Sequence, residues 1–401
     1  MPEILDEADG SQDALIVKVE GGGLQGWGEC EASPLTSIAN FICPKSHSAA
    51  NPIKDSIINE KLDNIDDLKK IIHKVRQKSL MIAQTPHTFS GIEVALLDLL
   101  AKKESTPIYS LIGHSNSKPK IAYASVLFGK SSEETFDIGT ELKNENFKAV
   151  KFGWQNFGLN LSKDQEQLHA AREALGSDIK LMIDVGAIWG TDIAEALKRN
   201  NIFKENQITW LEEPFYSDAY NEYSQLSKKS NLPLAGGESC HSIESAKNLI
   251  EYGKVKYIQI DAGIVGGILA GNEICKFAEQ NDVQYVNHTF TSHLQLSASM
   301  QSYASSEFSI YAEYPMKLKS LAWDITENHI KKDEHGFING DWSEVVIYNG
   351  TDSIDWRITI DGRIEYPTAF GTYELQEIIT NSISLEALFS INNLVKSVLI
   401  V

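Results

Sequence analysis

LMID at 181–184 is the first of four short apolar runs with a carboxylate at the C-terminal end, and the others are TWLEE (209–213), LAGGE (234–238) and YIQID (257–261). The acids follow one another at intervals of 28, 26 and 23 residues, and they are Asp184, Glu212, Glu238 and Asp261. Such intervals are typical of a barrel in which parallel strands alternate with helices, and the C-terminal strand ends of such a barrel converge on one face. We therefore expect the four acids to meet at an active site.

The same pattern extends on both sides of these runs. VQYVNH ends at His288 and IYAEY contains Glu313, whereas IAYASVLF (121–128) and KAVKFG (148–153) fit two earlier strands. Stretches between the runs, such as 267–280, have apolar residues three and four positions apart, which indicates amphipathic helices. The number of strands reaches eight. The predicted fold class is therefore α/β, a modified (β/α)8 barrel of the TIM type, or (β/α)7β, with an α+β capping domain.

The capping domain is predicted from the residues outside the barrel, which make up about half of the chain. A strand at 14–20 and helices near 65–79 and 91–102 precede the barrel. We divide the chain into a capping domain that lacks its first strand, the barrel, a segment that returns to the cap and includes the strand-like LAWDI (321–325), and a divergent tail of unknown role. These regions span 1–117, 118–316, 317–345 and 346–401.

Composition excludes several classes of partner. The formal net charge is −19, from 55 acids and 36 bases, and no basic run is long enough to follow a phosphate backbone, so we exclude nucleic acid. No stretch approaches about twenty apolar residues, and the acidic N-terminus differs from a secretory signal. We therefore expect a cytoplasmic protein with no membrane partner. The four cysteines form no CxxC pair, which favours reduced thiols.

The acids at the strand ends form a hard-oxygen ligand set. Asp184, Glu212 and Glu238 have no cysteine beside them in these runs, and carboxylates suit Mg²⁺ better than zinc or copper. A single acid at a strand end is often a helix cap or an ion-pair partner. Three acids in successive units instead predict a magnesium site.

Six short motifs occur along the chain, and they are GWGECEASP (26–34), SGIEVALLDLLAK (90–102), AVKFGW (149–154), WLEEP (210–214), GGES (236–239) and IQIDAGIVGGI (258–268). In their order and spacing the chain resembles the enolase superfamily, in its mandelate racemase and muconate lactonising branch. The resemblance covers about residues 14 to 340. It implies a capped, modified βα barrel that acts on a small carboxylate.

The resemblance also implies a role for each strand-end residue. In that family the acids ending strands three, four and five bind Mg²⁺, and they correspond here to Asp184, Glu212 and Glu238. The base that removes the proton next to the substrate carboxylate corresponds to His288, and Asp261 holds its imidazole. A buried carboxylate in that position fixes the tautomer and raises imidazole basicity.

Strand two departs from the family pattern. Lys151 matches the first lysine of the Lys-x-Lys motif, which contacts the substrate carboxylate, but Gly153 replaces the second lysine, the opposite-face base of racemases and cycloisomerases. A one-sided site favours a lyase that eliminates water from a sugar acid, giving a 2-keto-3-deoxy acid. Glu313 matches an electrophilic glutamate, which donates a hydrogen bond to the substrate carboxylate if a neighbouring charge raises its pKa.

Two other functions stay open at this stage. One is a racemase, epimerase or cycloisomerase of a carboxylic acid, which would recruit Lys151 as its second base. The other is a catalytically disabled relative that keeps the barrel as a binding module. The complete set of metal acids together with the His288 and Asp261 pair favours an enzyme.

Residues near the strand ends are the candidates for further substrate contacts. Trp154 and Asn287 adjoin predicted active-site positions, and Ser33 lies in a cap loop. Loops that close over a barrel mouth commonly control access to the site. Family members often assemble through barrel and cap faces, so the resemblance also predicts a homo-oligomer.

Overall fold

The computed structural model describes residues 14–32, 34–316, 322–323 and 325–340, together with backbone strands at 372–373 and 397–400. Ser33 and most of the tail predicted at 346–401 lie outside these residues. A unit of strands and helices at the N-terminus packs on a barrel sheet, and this confirms the predicted α/β barrel with an α+β cap.

The strands follow the predicted runs closely. They are β1 (Ala14–Gly21), β2 (Leu24–Glu31), β3 (Lys120–Leu127), β4 (Ala149–Gly153), β5 (Lys180–Asp184), β6 (Ile208–Glu212), β7 (Leu234–Gly236), β8 (Tyr257–Asp261), β9 (Gln284–His288), β10 (Tyr311–Pro315), β11 (Phe337–Ile338), β12 (Thr372–Tyr373) and β13 (Ser397–Ile400). Strands β5, β6 and β8 end on three of the predicted acids, and Glu238 follows the last residue of β7 by two positions.

The helices alternate with the barrel strands, as the periodicity predicts. They are α1 (Pro34–Ile42), α2 (Ile65–Lys78), α3 (Thr85–Glu104), α4 (Ile108–Leu111), α5 (Ser132–Asn144), α6 (Leu161–Leu175), α7 (Ile193–Lys198), α8 (Asn200–Glu205), α9 (Tyr220–Ser230), α10 (Ile243–Asn248), α11 (Ile268–Gln280) and α12 (His293–Gln301). The helix predicted at 91–102 begins earlier, at Thr85, because Pro86 occupies the first turn, where a missing backbone N–H costs no helical bond.

Parallel pairing places the site residues in one row across the barrel. The strand order is β10-β3-β4-β5-β6-β7-β8-β9, and β11 pairs antiparallel with β3. Gly153 on β4 is paired with Asp184 on β5, and Asp184 is paired with Glu212 on β6. Asp261 on β8 is likewise paired with His288 on β9. This register brings the predicted residues to the same end of the sheet.

The seam between β9 and β10 is closed by side chains, because no backbone ladder joins these two fully described strands. The backbone N–H of Glu313 donates to Asn287 Oδ1 at 3.0 Å, and the N–H of Thr289 donates to Glu313 Oε2 at 2.9 Å. Tyr303 Oη donates to the same Asn287 oxygen at 2.8 Å and lies 3.0 Å from the Tyr311 carbonyl. These bonds satisfy polar groups that a ladder would otherwise pair.

The cap sheet has the order β12-β13-β1-β2, in which β1 and β2 form an antiparallel hairpin. Strand β13, from the C-terminus, pairs in parallel with β1 at the edge opposite β2. Helix α3 packs closely on the hairpin, since a Cβ placed on Gly28 would lie 2.1 Å from the Gly91 carbonyl oxygen. Glycine at both positions permits this approach.

The cap is fixed to the barrel through Glu93 on α3. Its two carboxylate oxygens accept the backbone N–H groups of Ile268 and Leu269 at the start of α11, both at 2.9 Å. Carboxylates are favourable at helix N-termini because they satisfy free donors and complement the helix dipole. Gly267 adjoins this contact, and a Cβ there would lie 2.2 Å from Glu93 Oε2. The glycine-rich motif after β8 therefore serves the cap–barrel contact.

The segment after the barrel contacts both domains. Ile325 lies in one apolar cluster with Ile16 of the cap and Leu294 of the barrel. Ile330 and Ile338, in contrast, are buried in the barrel core. The predicted strand LAWDI is not formed by Ala322 and Trp323, which are helical, and Leu321 and Asp324 lie outside the described residues. Among the described helices, none has the length and apolarity needed to cross a membrane.

Candidate active site

Charged residues lie two positions beyond an apolar layer inside the barrel. Successive strand residues point to opposite faces, so residues i and i+2 share the barrel interior. The interior apolar layer includes Ala149, Met182, Trp210, Val286 and Tyr311. Two residues further along the same strands come Lys151, Asp184, Glu212, His288 and Glu313. Strand alternation thus places five ionisable groups together above an apolar floor.

Asp184, Glu212 and Glu238 meet as predicted. Each offers a carboxylate oxygen, and these three oxygens lie within 4.8 Å of one another. Glu238 Oε2 is buried and accepts no hydrogen bond from the described residues. Burial, together with the nearby carboxylates and against the Lys151 charge, raises the pKa of Glu212 to about 8. An all-oxygen set with an unpartnered buried oxygen fits a hard divalent cation such as Mg²⁺.

Neighbouring N–H groups orient two of these acids. Asp184 accepts the Trp154 indole N–H on Oδ2 at 3.0 Å and the Gly186 backbone N–H on Oδ1 at 2.9 Å. Glu212 accepts the Trp210 indole N–H on Oε2 at 2.9 Å. Partners of this kind hold metal-binding carboxylates in fixed directions. Trp154 is 53% exposed, so its indole also forms part of the wall of the site.

Lys151 lies at the centre of the acidic cluster. Its Nζ is 2.5 Å from Glu212 Oε1, 2.8 Å from Glu313 Oε1 and 3.7 Å from Asp184 Oδ2. Although burial alone would lower the pKa of Lys151, these carboxylates raise it well above its ordinary value. The buried ammonium is therefore charged and faces the same cavity as the acids. This position agrees with the predicted contact to a substrate carboxylate.

Glu313 does not meet the condition under which it would donate a hydrogen bond to the substrate. That role required a neighbouring charge to raise its pKa. Burial does act in that direction, but the positive charges of Lys151 and His288 prevail and lower the pKa of Glu313. Glu313 is thus an ionised carboxylate that pairs with Lys151. It also accepts the Thr289 backbone N–H at the barrel seam.

His288 and Asp261 form the predicted pair. His288 Nδ1 lies 2.8 Å from Asp261 Oδ2, while His288 Nε2 faces the acid cluster, 3.4 Å from Glu238 Oε2. Asp261 Oδ1 accepts the Gly263 backbone N–H at 2.6 Å and the Gln295 side-chain amide at 3.2 Å. Burial would lower the pKa of His288, but the surrounding carboxylates raise it well above its ordinary value. Nε2 is the nitrogen available to a substrate.

A side chain at position 153 would be crowded by Asp184. A Cβ built on Gly153 would lie 3.0 Å from Asp184 Cβ and 3.3 Å from Asp184 Oδ2, which is tighter than ordinary van der Waals contact. The next residue, Trp154, has a positive φ of 60°, and its indole N–H donates to Asp184 Oδ2. The face where the second lysine would lie is therefore bordered by an indole and by a metal-ligand candidate.

The cap contributes two acids that the sequence did not single out. Glu29 and Glu31 share one face of β2, and they are 0% and 7% exposed. Glu29 Oε2 accepts the Ser292 hydroxyl in the loop after β9. Glu31 interacts electrostatically with Asp261, His288 and Glu238. The alternation in GWGECEASP was the available signal, because it puts both acids on one face of a strand.

Three further residues have positions that bear on the site, and they are Asn287, Ser33 and Glu213. Asn287 is 0% exposed, and its amide bonds to Tyr303, to the Glu313 backbone and to Ser299 within the barrel wall. Its role in substrate binding stays a prediction that these contacts do not favour. Ser33 lies outside the described residues, so its role also stays a prediction. Glu213 lies behind the metal acids, where it accepts the Gly237 backbone N–H at 2.9 Å.

A capped βα barrel with an acid triad, a central lysine and a histidine–aspartate pair at its strand ends defines the enolase class of enzymes. Residues 7–113 match the mandelate racemase / muconate lactonizing enzyme N-terminal domain, and residues 138–339 match the enolase C-terminal domain-like family. The chain belongs to the mandelate racemase and muconate lactonizing enzyme family of the enolase superfamily, whose members bind Mg²⁺.

Similar proteins differ in the reactions for which they are named. The chain is 27% identical to a D-galactarolactone cycloisomerase of Agrobacterium fabrum, over 72% of this chain and 74% of that protein. It is 29% identical to an arabinonate dehydratase of Saccharolobus solfataricus, over 45% of this chain and 48% of that protein. A crystal structure described as a predicted mandelate racemase from Rhodobacter sphaeroides shares 43% identity, with a TM-score of 0.82 over 87% of this chain and 90% of that one.

Proposed function

We propose that this protein is a magnesium-dependent dehydratase of a sugar acid, which converts a polyhydroxy carboxylate to a 2-keto-3-deoxy acid and water. One observation carries the proposal: a histidine–aspartate pair lies on one side of the site, whereas the opposite side has Gly153, which carries no side chain, next to Trp154 and Asp184. Racemisation needs proton carriers on both faces of the planar intermediate. β-Elimination needs only one base, so the one-sided site supports it.

The residues of the chain divide the chemistry among them. When held by Asp184, Glu212 and Glu238, Mg²⁺ would supply positive charge against the charge that develops on the substrate carboxylate. Lys151 adds a second, buried positive charge for the same carboxylate. The ion pairs of Lys151 with Glu212 and Glu313 hold its ammonium in place. A fixed charge of this kind needs little reorganisation during the reaction.

Proton transfer falls to His288. Its Nε2 takes the proton from the carbon next to the carboxylate, and Asp261 stabilises the imidazolium that forms. The electron pair of the broken C–H bond forms a carbon–carbon double bond as the hydroxyl group on the next carbon departs. That group takes up a proton, which the imidazolium can return, and leaves as water. The resulting enol tautomerises to the 2-keto acid.

A cycloisomerase is the second candidate, and the same geometry supports it. Proton removal by His288 followed by loss of a ring oxygen, rather than of a hydroxyl group, would open a lactone or an anhydro ring with the same single base. The 27% identity to a D-galactarolactone cycloisomerase favours keeping this candidate. A mass measurement separates the two, because dehydration removes one water from the substrate and cycloisomerisation leaves the mass unchanged.

Incubation with Mg²⁺ and individual aldonic and aldaric acids of four to six carbons tests the proposal, with semicarbazide to detect 2-keto acids. We expect at least one acid to give a 2-keto acid with the loss of water, and His288→Asn to give none. Racemised or epimerised acid without keto acid would contradict dehydration. So would product of unchanged mass from a lactone, which would instead establish the cycloisomerase.

Metal dependence is tested separately from turnover. We expect Mg²⁺ to raise the thermal unfolding temperature of the native protein, because an ion that binds only the folded state stabilises it. Glu238→Gln should reduce that shift, while Glu213→Gln, on the adjacent acid behind the site, serves as the control. Equal shifts in the native protein and Glu238→Gln would contradict the assigned ligand set. The cytoplasmic location and the homo-oligomer stay predictions.

A further inference from the structure

Glu31 is a buried acid of the cap that lies at the active site. It is the last residue of β2 and is 7% exposed. Its backbone carbonyl accepts a hydrogen bond from His87 Nε2 at the start of α3, which holds this end of the strand. The described residues, however, donate no hydrogen bond to the Glu31 carboxyl group. The Glu31 carboxyl oxygens are not among the fully buried, unpartnered side-chain atoms of the described residues, so they keep contact with the cavity and are open to a ligand.

The direction of the Glu31 side chain follows from its neighbours. A Cβ built on Gly263 would lie 3.0 Å from Glu31 Cβ and 3.0 Å from Asp261 Oδ1, so Glu31 and Asp261 flank the same point. The charged groups that act on Glu31 are Asp261, His288, Glu238 and Glu29. Glu31 therefore lies on the side of the site that holds the base, and it enters from the cap rather than from a barrel strand.

Glu29 shows what a structural acid at the same interface looks like. It lies two residues earlier on the same face of β2 and is fully buried. Its Oε2 is occupied by the Ser292 hydroxyl group, which ties β2 to the loop after β9. The other oxygen, Glu29 Oε1, is buried without a hydrogen-bond partner among the described residues. Glu31 has no tie like that of Glu29 to Ser292. The two acids thus share a strand face, but only Glu29 is tied to the barrel by a hydrogen bond to its carboxylate.

We propose that Glu31 is the general acid that protonates the departing hydroxyl group, and that His288 acts only as the base. This inference rests on the proposed dehydration and assigns one of its steps. Burial, with the charges of Asp261 and Glu238 and against that of His288, raises the pKa of Glu31 to about 8. Such a shift favours the protonated form of the carboxyl group, which is the form that can donate a proton.

The step balances with both residues. His288 Nε2 gains the proton from the carbon next to the carboxylate, and the C–H electron pair becomes the double bond. The C–O bond breaks with its electron pair on oxygen, and the Glu31 proton joins that oxygen to form water. The imidazolium proton then returns to the Glu31 carboxylate through solvent, which restores both groups. Base and acid lie on the same side, so the elimination is syn.

Deuterium exchange separates the two roles. In D₂O, ¹H NMR follows loss of the α-proton signal from unreacted D-gluconate, D-galactonate, D-mannonate or D-arabinonate, while semicarbazide follows keto acid. We expect Glu31→Gln to retain exchange within about threefold but to lower keto-acid formation by about a hundredfold or more. Glu31→Asp, which keeps a carboxyl group, should retain part of the rate of keto-acid formation. Glu29→Gln should leave the ratio of the two rates unchanged.

A leaving group that needs no proton gives a second test. The 3-deoxy-3-fluoro analogue of the same acid loses fluoride and yields the same keto acid. We expect native protein and Glu31→Gln to convert this analogue at rates within about threefold of each other, because no proton transfer to the leaving group is required. His288→Asn should convert neither compound. Mg²⁺-induced thermal shifts provide the check that each variant is folded.

Three results would overturn the inference. If Glu31→Gln lost α-proton exchange and elimination equally, Glu31 would be structural. The same would follow if Glu31→Gln lost fluoride elimination as strongly as it lost elimination of water. Full retention of both rates would leave His288 as the acid. Exchange without elimination in the native protein would refute the proposed dehydration itself, and the role of Glu31 with it. If Glu31→Gln did not fold, the same two rates would be compared in Glu31→Asp, with the hydroxy acid and with its fluoro analogue.

Discussion

The β8–β9 side of the active site can be compared with the β4–β5 side across the barrel. On the first, Asp261 holds an imidazole whose second nitrogen faces the metal-ligand acids. On the second, the paired position holds Gly153, and the Trp154 indole donates to Asp184. Both sides come from strand ends with the same register and the same apolar layer beneath. Yet only the first carries a histidine that can serve as the base of the proposed reaction.

The comparison separates what the barrel provides from what its individual residues decide. The barrel brings the C-terminal ends of its strands to one cavity. It therefore positions the metal acids, Lys151 and Glu313 in the same way whichever reaction the enzyme catalyses. The choice of reaction then depends on two positions, one on each side. A single base and a blocked opposite face favour elimination over inversion at the same carbon.

Removal of the base should have the largest effect. His288→Asn lacks an ionisable group at Nε2, so we expect keto-acid formation and α-proton exchange to fall by at least about 10⁴-fold. Mg²⁺ binding, followed by thermal shift, should be nearly unchanged. If the variant retained substantial turnover, the base would have to be elsewhere and the two sides of the site would no longer differ as described.

Loss of the partner of the base comes next. Asp261→Asn no longer holds the Nδ1 proton of His288, and we expect the rate to fall by about 10²- to 10⁴-fold through the wrong tautomer and a less stable imidazolium. Gln295→Leu is the matched control, since it removes only the 3.2 Å contact to the other Asp261 oxygen. Its effect should be about tenfold or less. Similar rates for the two variants would count against the pairing.

Restoring a base on the opposite side should fail for steric reasons. Gly153→Ala already places a Cβ 3.0 Å from Asp184 Cβ, and we expect a loss of about 1–3 kcal/mol in stability from this overpacking. Gly153→Lys should show the same steric loss, with weaker Mg²⁺ binding and no racemisation, as measured by chiral chromatography. A Gly153→Lys variant that binds Mg²⁺ normally and racemises its substrate would show that the face is open.

The Trp154 indole should have the smallest effect of the four. Trp154→Phe keeps an aromatic ring but loses the N–H that donates to Asp184 at 3.0 Å. Because the residue is half exposed, we expect only about 1 kcal/mol, seen as Mg²⁺ affinity or KM that is weaker by threefold to tenfold. The rate at saturation should change little. A large fall in that rate would instead place Trp154 in the proton-transfer chemistry.

Much of the site was predictable because it follows from short-range rules. Period-2 alternation and a repeated strand interval placed Asp184, Glu212, Glu238 and Asp261 at one end of a barrel. The structure brings the first three carboxylates together there, and Asp261 pairs with His288 at the same end. Local rules also explain the helix bounds, to within a few residues. These rules need only the order of residues along each strand.

Other features depend on contacts between distant segments. The direction of the Glu313 pKa shift depends on Lys151 and His288, which lie on other strands, so the sequence alone did not determine it. Glu31 was missed because its role depends on how the cap is seated on the barrel through Glu93. The pairing of β13 with β1 joins opposite ends of the chain, and no local pattern indicates it.

The seam between β9 and β10 ties the chemistry of the site to the construction of the barrel. Glu313 pairs with Lys151 through one oxygen and closes the seam through the other, while its own backbone is held by Asn287. A substitution that replaced this glutamate to accept a new substrate would therefore also remove a bond that closes the barrel.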